Sequence, residues 1–234
     1  IEATLRPGGQ IEPANLSREL AGLCEALAKH DQKILIAASD VNHVSGDSEV
    51  YLRQLASQSV PYFRMAYYRY DFGKPLLPQL DAFARQAEQL AELCKDLQIK
   101  ALYQNHAGRN YVGAAVWDLR RVLAEVSPEH LAVALDIRHT TLELSQSYQA
   151  GYHVIRDHLG AVYVKDFAWI DGKPVNVPLG KGRSKPLFDL ILRDGLVGPL
   201  SLHMEYTDHN DPGQTETSWQ AIAADVKTLQ GWLA

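Results

Sequence analysis

The strongest constraint in this chain is a rhythm: short apolar runs alternate with longer amphipathic stretches seven times from one end to the other. Strand-like segments are read at 1–5, 33–38, 61–67, 99–104, 131–136, 161–165 and 200–205. Helices are read at 16–29, 49–57, 78–97, 113–125, 143–158, 186–193 and 215–232. The helical stretches carry apolar residues on one face, as in Leu16, Leu20, Leu23 and Leu27, or Leu80, Phe83, Ala87, Leu90 and Leu93. Pro128 and the segment from Gly195 to Gly198 interrupt the pattern where helices should end. Repeated β-then-α units build a parallel sheet covered by helices. Seven of them ending in a long helix predict an α/β fold, a (β/α)8 TIM barrel lacking its first βα unit, as a single domain over 1–234.

The alternation inside the strands separates this design from an open, doubly wound sheet. Leu200, Leu202 and Met204 share one face while Ser201, His203 and Glu205 share the other. Leu131, Val133 and Leu135 oppose Ala132, Ala134 and Asp136; Val162 and Val164 oppose Ala161, Tyr163 and Lys165; Ile1, Ala3 and Leu5 oppose Glu2, Thr4 and Arg6. A barrel strand turns its apolar face to the helices and its small or polar face to the axis. An open sheet covered on both sides would read as unbroken Val, Ile and Leu. It would also carry a Gly-rich phosphate loop after its first strand, and Arg6-Pro7-Gly8-Gly9 does not match one.

Composition narrows the partners. Of the 234 residues 46% are hydrophobic and 22% charged, with a formal net charge of -5 and no run of Lys or Arg. Nucleic acid is therefore not expected, because neutralising phosphates needs clustered cations. A membrane is not expected either, since no stretch approaches the roughly 18 apolar residues of a span. Cys24 and Cys94 lie far apart in helical stretches and read as small buried hydrophobes. Ile1 stands inside a strand-like segment without a Met before it, so an upstream unit is expected to be missing. The reading favours the cytoplasm slightly and leaves export open. A barrel short of one strand has two unpaired edges, which makes a homo-oligomer one expected assembly.

Stacking the strand ends brings together Gln104, Asp136, Tyr163, Lys165 and Glu205 at one mouth. Two carboxylates in one pocket need a cation or a shared proton between them, and either a divalent metal or the Lys165 ammonium supplies the charge. Arg6 ends an inward polar row, where it binds a carboxylate, phosphate or sugar hydroxyl or else pairs with a barrel acid. Trp169 either stacks on a sugar face or packs a loop. Arg64, Tyr68 and Arg69 are further candidates whose faces the alternation does not assign, and Met65 to Tyr70 form a wall or a packed rim.

The segments Tyr103-Gln104-Asn105-His106, Asp136-Ile137-Arg138-His139, Val162-Tyr163-Val164-Lys165-Asp166, Pro178-Leu179-Gly180-Lys181-Gly182 and His203-Met204-Glu205 occur in order. Together they resemble the sugar phosphate isomerase/epimerase superfamily, the xylose-isomerase-like barrels. The resemblance implies metal-assisted removal of a proton next to the carbonyl of a small sugar, ketose or polyol derivative. It implies a divalent ion (Mn, Mg, Co or Zn) on Asp136, Glu205 and Gln104, with Glu205, Lys165 and His139 as catalytic groups. Arg6, His106, Tyr163, Trp169 and Arg183 are the substrate-binding candidates that follow. Two positions depart from the family pattern, Gln104 for a Glu and Tyr163 for a His. A Gln carbonyl ligates a hard cation without formal charge, and a neutral phenol is a poor ligand. His106, on the same strand face as Gln104, is either a substitute ligand or a loop histidine. A lyase or dehydratase on the same scaffold, and a carbohydrate-binding barrel without metal, are the alternatives.

Overall fold

The computed structural model describes residues 1–208 and 211–234. Its strands are β1 (Glu2–Thr4), β2 (Ile36–Ala38), β3 (Tyr62–Arg64), β4 (Lys100–Gln104), β5 (Leu131–Asp136), β6 (Leu159–Val164), a hairpin of β7 (Asp166–Ile170) and β8 (Lys173–Val177), and β9 (Leu200–Leu202). Seven of these form one parallel sheet in the order β1-β2-β3-β4-β5-β6-β9. The helices are α1 (Leu16–Ala28), α2 (Gly46–Ser57), α3 (Leu76–Leu97), α4 (Trp117–Val122), α5 (Ile137–Leu144), α6 (Tyr148–Ile155), α7 (Lys185–Asp194) and α8 (Thr215–Leu233). This is a nearly closed barrel lacking one βα unit, as the strand alternation implied. None of the described helices is long and apolar enough to cross a membrane.

The two faces of each strand go where their side chains dictate. Ala3, Leu5, Leu131, Val133, Leu135, Val162 and Val164 join the shell that packs on the helices through residues such as Leu20, Leu52, Leu90, Leu119 and Ile191. Ile36, Leu102, Ala132, Ala134, Ala161 and Tyr163 form a separate inner layer around the axis. Small side chains there let seven strands curl round a filled interior. Above this layer, at the strands' C-terminal ends, the inward positions turn polar, and that is where the barrel carries chemistry.

The barrel is open along one seam. β9 and β1 share no ladder, and a cavity of about 580 Å³ lies along it, lined by Ile1, Glu2, Thr4, Leu35, Arg64, Leu200 and His203 among others. Side chains cross it instead: Ser201 Oγ donates to Glu2 Oε2 at 2.6 Å.

Several element bounds differ from those expected. The strand at 61–67 ends at Arg64, because Met65 N still bonds Leu102 O while Ala66 N swings across to Val41 O. The strand at 200–205 ends at Leu202, although His203 N still reaches Val164 O. The helix at 113–125 shortens to α4. The helix at 143–158 is two helices, α5 starting directly after β5 and α6 following a turn where Ser145 has φ 48°. The β7–β8 hairpin was not anticipated. Its turn is Asp171-Gly172, both at positive φ (50° and 73°), the two-residue turn that suits strand twist.

Candidate active site

The polar strand ends converge as one connected ring. Asp136, the last residue of β5, is fully buried. Its Oδ1 accepts from the backbone N–H of His139 at 2.9 Å, so the same carboxylate caps α5, where unpaired amides favour an anion. Its Oδ2 accepts from Gln104 Nε2 at 2.8 Å and lies 3.2 Å from Lys165 Nζ. That ammonium also donates to Glu205 Oε1 at 2.9 Å. The Asp136 and Lys165 side chains are 0% and 5% exposed whereas that of Glu205 is 40% exposed, so Glu205 is the most open charge of the three.

From Gln104 the ring runs the other way. Gln104 Oε1 accepts from Tyr67 Oη at 2.8 Å and from Arg64 Nη1 at 3.2 Å. Arg64 Nε donates to Glu2 Oε1 at 3.0 Å. Glu2 Oε2 pairs with His203 Nε2 at 3.1 Å, and His203 Nδ1 stands 3.7 Å from Glu205 Oε1, which closes the circuit.

These pairings decide the charge states. Burial alone would raise Glu2, yet His203 and Arg64 hold it down at about 2. Burial works the same way on Glu205 and is outweighed by His203 and Lys165, which hold the carboxyl far below its ordinary range. Lys165 is raised because Asp136 and Glu205 overcome its desolvation. It is therefore a fixed ammonium and not an amine available to form a Schiff base. Burial, with Lys165 nearby, pushes His139 down to about 3, so its imidazole is neutral.

Beside the ring stands an aromatic wall. His106 lies against His139 (ring centroids 4.0 Å), Tyr111 (4.6 Å) and Tyr67 (5.1 Å). Arg138 Nη1 points at His139 Nδ1 at 3.2 Å, and a guanidinium only donates, so the imidazole proton sits on Nε2. That Nε2–H is buried without a hydrogen-bond partner, 3.6 Å from Asp136 Oδ2. On the far side Asn176 of β8 accepts from Arg138 Nε at 3.0 Å and donates to the Glu205 backbone oxygen at 3.2 Å.

Of the residues named from sequence, the structure gathers Gln104, Asp136, Lys165, Glu205, His139 and His106. Tyr163 is corrected: it is fully buried in the layer beneath, its ring against His203 at 4.6 Å, and presents no surface to a ligand. Arg6, in the turn after β1, Trp169, exposed on β7, and Arg183, exposed before α7, make no hydrogen bond or ion pair with the ring. Tyr68 faces outward into the core against Phe83 and Tyr103. Sequence reasoning gave no role to Glu2 and His203, although both stand in inward-facing rows, and left Arg64 unassigned. Lys165-Asp166 and Gly180-Lys181-Gly182 belong to one structural device. The buried Asp166 carboxylate accepts from the backbone N–H groups of Phe167, Gly180, Gly182 and Ser184 at 2.9 to 3.0 Å. Gly182 is required by contact, because a Cβ there would collide with Phe167 O and the Asp166 carboxylate.

The arrangement does not fit the divalent ion that the resemblance implied on Asp136, Glu205 and Gln104. Arg64 has donors only, so the Gln104 atom facing it and Tyr67 must be the oxygen, and the amide turns its NH2 toward Asp136. Among the described residues no group of three or more His, Cys, Asp or Glu side chains is placed to hold a metal.

A parallel barrel with its polar cluster at the C-terminal mouth defines a class in which function sits on the strand ends. Residues 60–225 match the model of the xylose isomerase-like TIM barrel family, and the chain belongs to that family. No curated protein matches the chain in sequence. Among solved structures it resembles a xylose isomerase domain protein from Planctomyces limnophilus at TM-score 0.73 and 12% identity, over 99% of this chain and 87% of that one. A 3-keto-D-glucoside 4-epimerase from E. coli aligns at 0.69 and 16%, over 93% and 88% of the two chains. A probable 3-DHS dehydratase from Bacillus anthracis aligns at 0.67 and 15%, over 94% and 85%.

Proposed function

We propose that this protein is an isomerase of the sugar epimerase type, acting on a small polyhydroxylated carbonyl compound by moving a proton at the carbon next to the carbonyl. The observation that carries the reading is the half-exposed Glu205 carboxylate paired with the buried Lys165 ammonium. An ammonium has three N–H donors, and Asp136 and Glu205 take two. In the proposed scheme the third turns to a substrate oxygen that enters beside Glu205. Glu205 removes the proton, the electron pair moves onto the carbonyl oxygen, and Lys165 with the unpartnered Nε2–H of His139 stabilises the resulting enediolate. The protonated Glu205 then returns its proton to a carbon of the enediolate, which re-forms a carbonyl and restores the carboxylate. A substrate oxygen that draws on Lys165 also weakens its hold on Glu205, which restores basicity to a carboxylate otherwise kept strongly ionised. The wall of Tyr67, His106 and Tyr111 suits the apolar face of a sugar.

The similarity to a dehydratase favours one second reading, because the same first step followed by loss of a β-hydroxyl is an elimination. Incubation with a panel of ketoses, aldoses and their keto-acid relatives in D2O, read by NMR, tests both. Deuterium beside the carbonyl of a recovered or epimerised sugar is the expected result; a dehydrated product selects the lyase. Glu205→Gln should lower the exchange rate at least ~100-fold with an unchanged circular dichroism spectrum. Full exchange in that variant would remove Glu205 from the mechanism, and saturable sugar binding without exchange would make the barrel a binder.

A further inference from the structure

We infer that the Lys165 ammonium takes the place of a divalent cation between Asp136 and Glu205, so that the mouth of this barrel is charge-balanced by a tethered cation and binds no metal there. The inference concerns ion binding alone and stands whether or not the reaction proposed above is right.

Three features of the geometry carry it. The first is position. Lys165 Nζ lies 3.2 Å from Asp136 Oδ2 and 2.9 Å from Glu205 Oε1, on the path between the two carboxylates. A divalent ion bridging the same oxygens needs them at roughly 2.0 to 2.6 Å, which puts it against the ammonium nitrogen. Two cations at that separation repel, and Lys165 is walled in, with 5% of its side chain exposed.

The second is saturation. Asp136 is completely buried and accepts from His139 N on Oδ1 and from Gln104 Nε2 and Lys165 on Oδ2. A metal would have to displace donors that are themselves held in place. Gln104 cannot turn its oxygen inward without facing its NH2 at the Arg64 guanidinium, donor against donor. The Asp136 carboxylate cannot swing without uncapping α5.

The third is the donor set. With Tyr163 buried in the layer below and Gln104 presenting N–H groups, Asp136 and Glu205 are the two anionic ligands left, and Lys165 already sits between them. Hard divalent ions take six or more oxygen ligands, so a pair short of a third protein donor is a weak site even without Lys165 in it. Removing that side chain should nonetheless leave two facing carboxylates with no cation between them and a void of ammonium size, which is a site where the wild type has none.

Mn²⁺ binding to the full chain, followed by electron paramagnetic resonance of the free ion and by calorimetry, tests this without any substrate. Wild-type protein should take up no stoichiometric Mn²⁺ at millimolar ion. Lys165→Ala should bind one Mn²⁺ at least ~10-fold more tightly than wild type, and Lys165→Ala with Asp136→Asn should lose that gain. Should Lys165→Ala fail to fold, Lys165→Met keeps the aliphatic packing, and Mn²⁺ should raise its melting temperature while leaving wild type unmoved. One Mn²⁺ on the wild type that Asp136→Asn abolishes overturns the inference. So does a folded Lys165 variant that binds Mn²⁺ no better than the parent.

Discussion

At the residue scale the ring is held by shared partners, and Glu2 is the member that ties it across the open seam. It accepts from Arg64, Ser201 and His203 with a side chain 14% exposed. Its carboxyl falls from an ordinary 4.5 to about 2, against the opposing pull of burial. The unfolded chain therefore binds the proton first, and the contribution of Glu2 to stability is full above pH 4.5 and lost as pH falls toward 2. At 1.36 kcal/mol per unit this is on the order of 3 kcal/mol. His203 has the opposite sign: Glu2 and Glu205 raise it despite burial, so its contribution is full below pH 6.5 and lost as pH rises through its folded value. Glu2→Gln should lower stability by roughly 2 to 3 kcal/mol near pH 5.5 and flatten the loss between pH 4.5 and 2 in urea titrations. An unchanged acid limb in that variant would show that other carboxylates govern it. Glu2 was legible from sequence only as an inward-facing acid beside Thr4 and Arg6, because its partners come from strands far along the chain and a single strand's alternation names a face, not a neighbour.

At the scale of elements, the two motifs that most resembled a catalytic signature serve the backbone as much as the mouth. Asp136-x-x-His139 is an N-cap and its third helical residue, joined by the Asp136 Oδ1 to His139 N bond. The cap is tied down further by Asn105, whose Oδ1 accepts from Asp136 N and whose Nδ2 donates to Thr140 Oγ1. Asp166, next to Lys165, gathers the N–H of its neighbour Phe167 and three more from the segment leading into α7, and thereby sets where β6 hands over to the hairpin. Asp166→Asn keeps the shape but replaces one acceptor oxygen with an NH2, which faces two N–H donors in a buried site. Leaving such donors unpaired costs about 1 to 3 kcal/mol each, so the variant should lose roughly 2 to 5 kcal/mol in equilibrium denaturation. A loss under ~1 kcal/mol would mean that water reaches the loop and replaces the carboxylate. Sequence spacing puts these carboxylates at strand ends and cannot tell a cap from a ligand, since both need a carboxylate there. It also missed the β7–β8 hairpin, whose Asp171-Gly172 turn is a strong short-range signal lying inside what the seven-unit rhythm reads as connecting chain.

At the scale of the molecule, the barrel was legible because the inner and outer faces of its strands differ in kind: Ala132, Ala134 and Ala161 line the axis while Val133, Leu135 and Val162 meet the helices. The seam was legible as one missing unit, and its chemistry was not, because the side chains that span it belong to residues about 200 apart in sequence. A paired strand lies roughly 4.8 Å from its neighbour. Across the seam there is no such ladder, and Glu2 reaches over to Ser201 and His203 in its place. Backbone groups of β1 and β9 therefore have a strand neighbour on one side, whereas β5 lies between two strands, paired with β4 over residues 131–134 and with β6 over residues 133–136. Local opening should follow this order. Native-state hydrogen exchange should find β5 amides opening only with global unfolding and those of β1 and β9 opening at lower cost. Glu2→Ala removes the clasp without touching a ladder, so it should speed exchange in β1 and β9 at least ~10-fold beyond its effect on β5. A uniform acceleration of all three strands would mean instead that the ring and the seam unfold as one cooperative unit, with the mouth's charged circuit acting as the missing ladder.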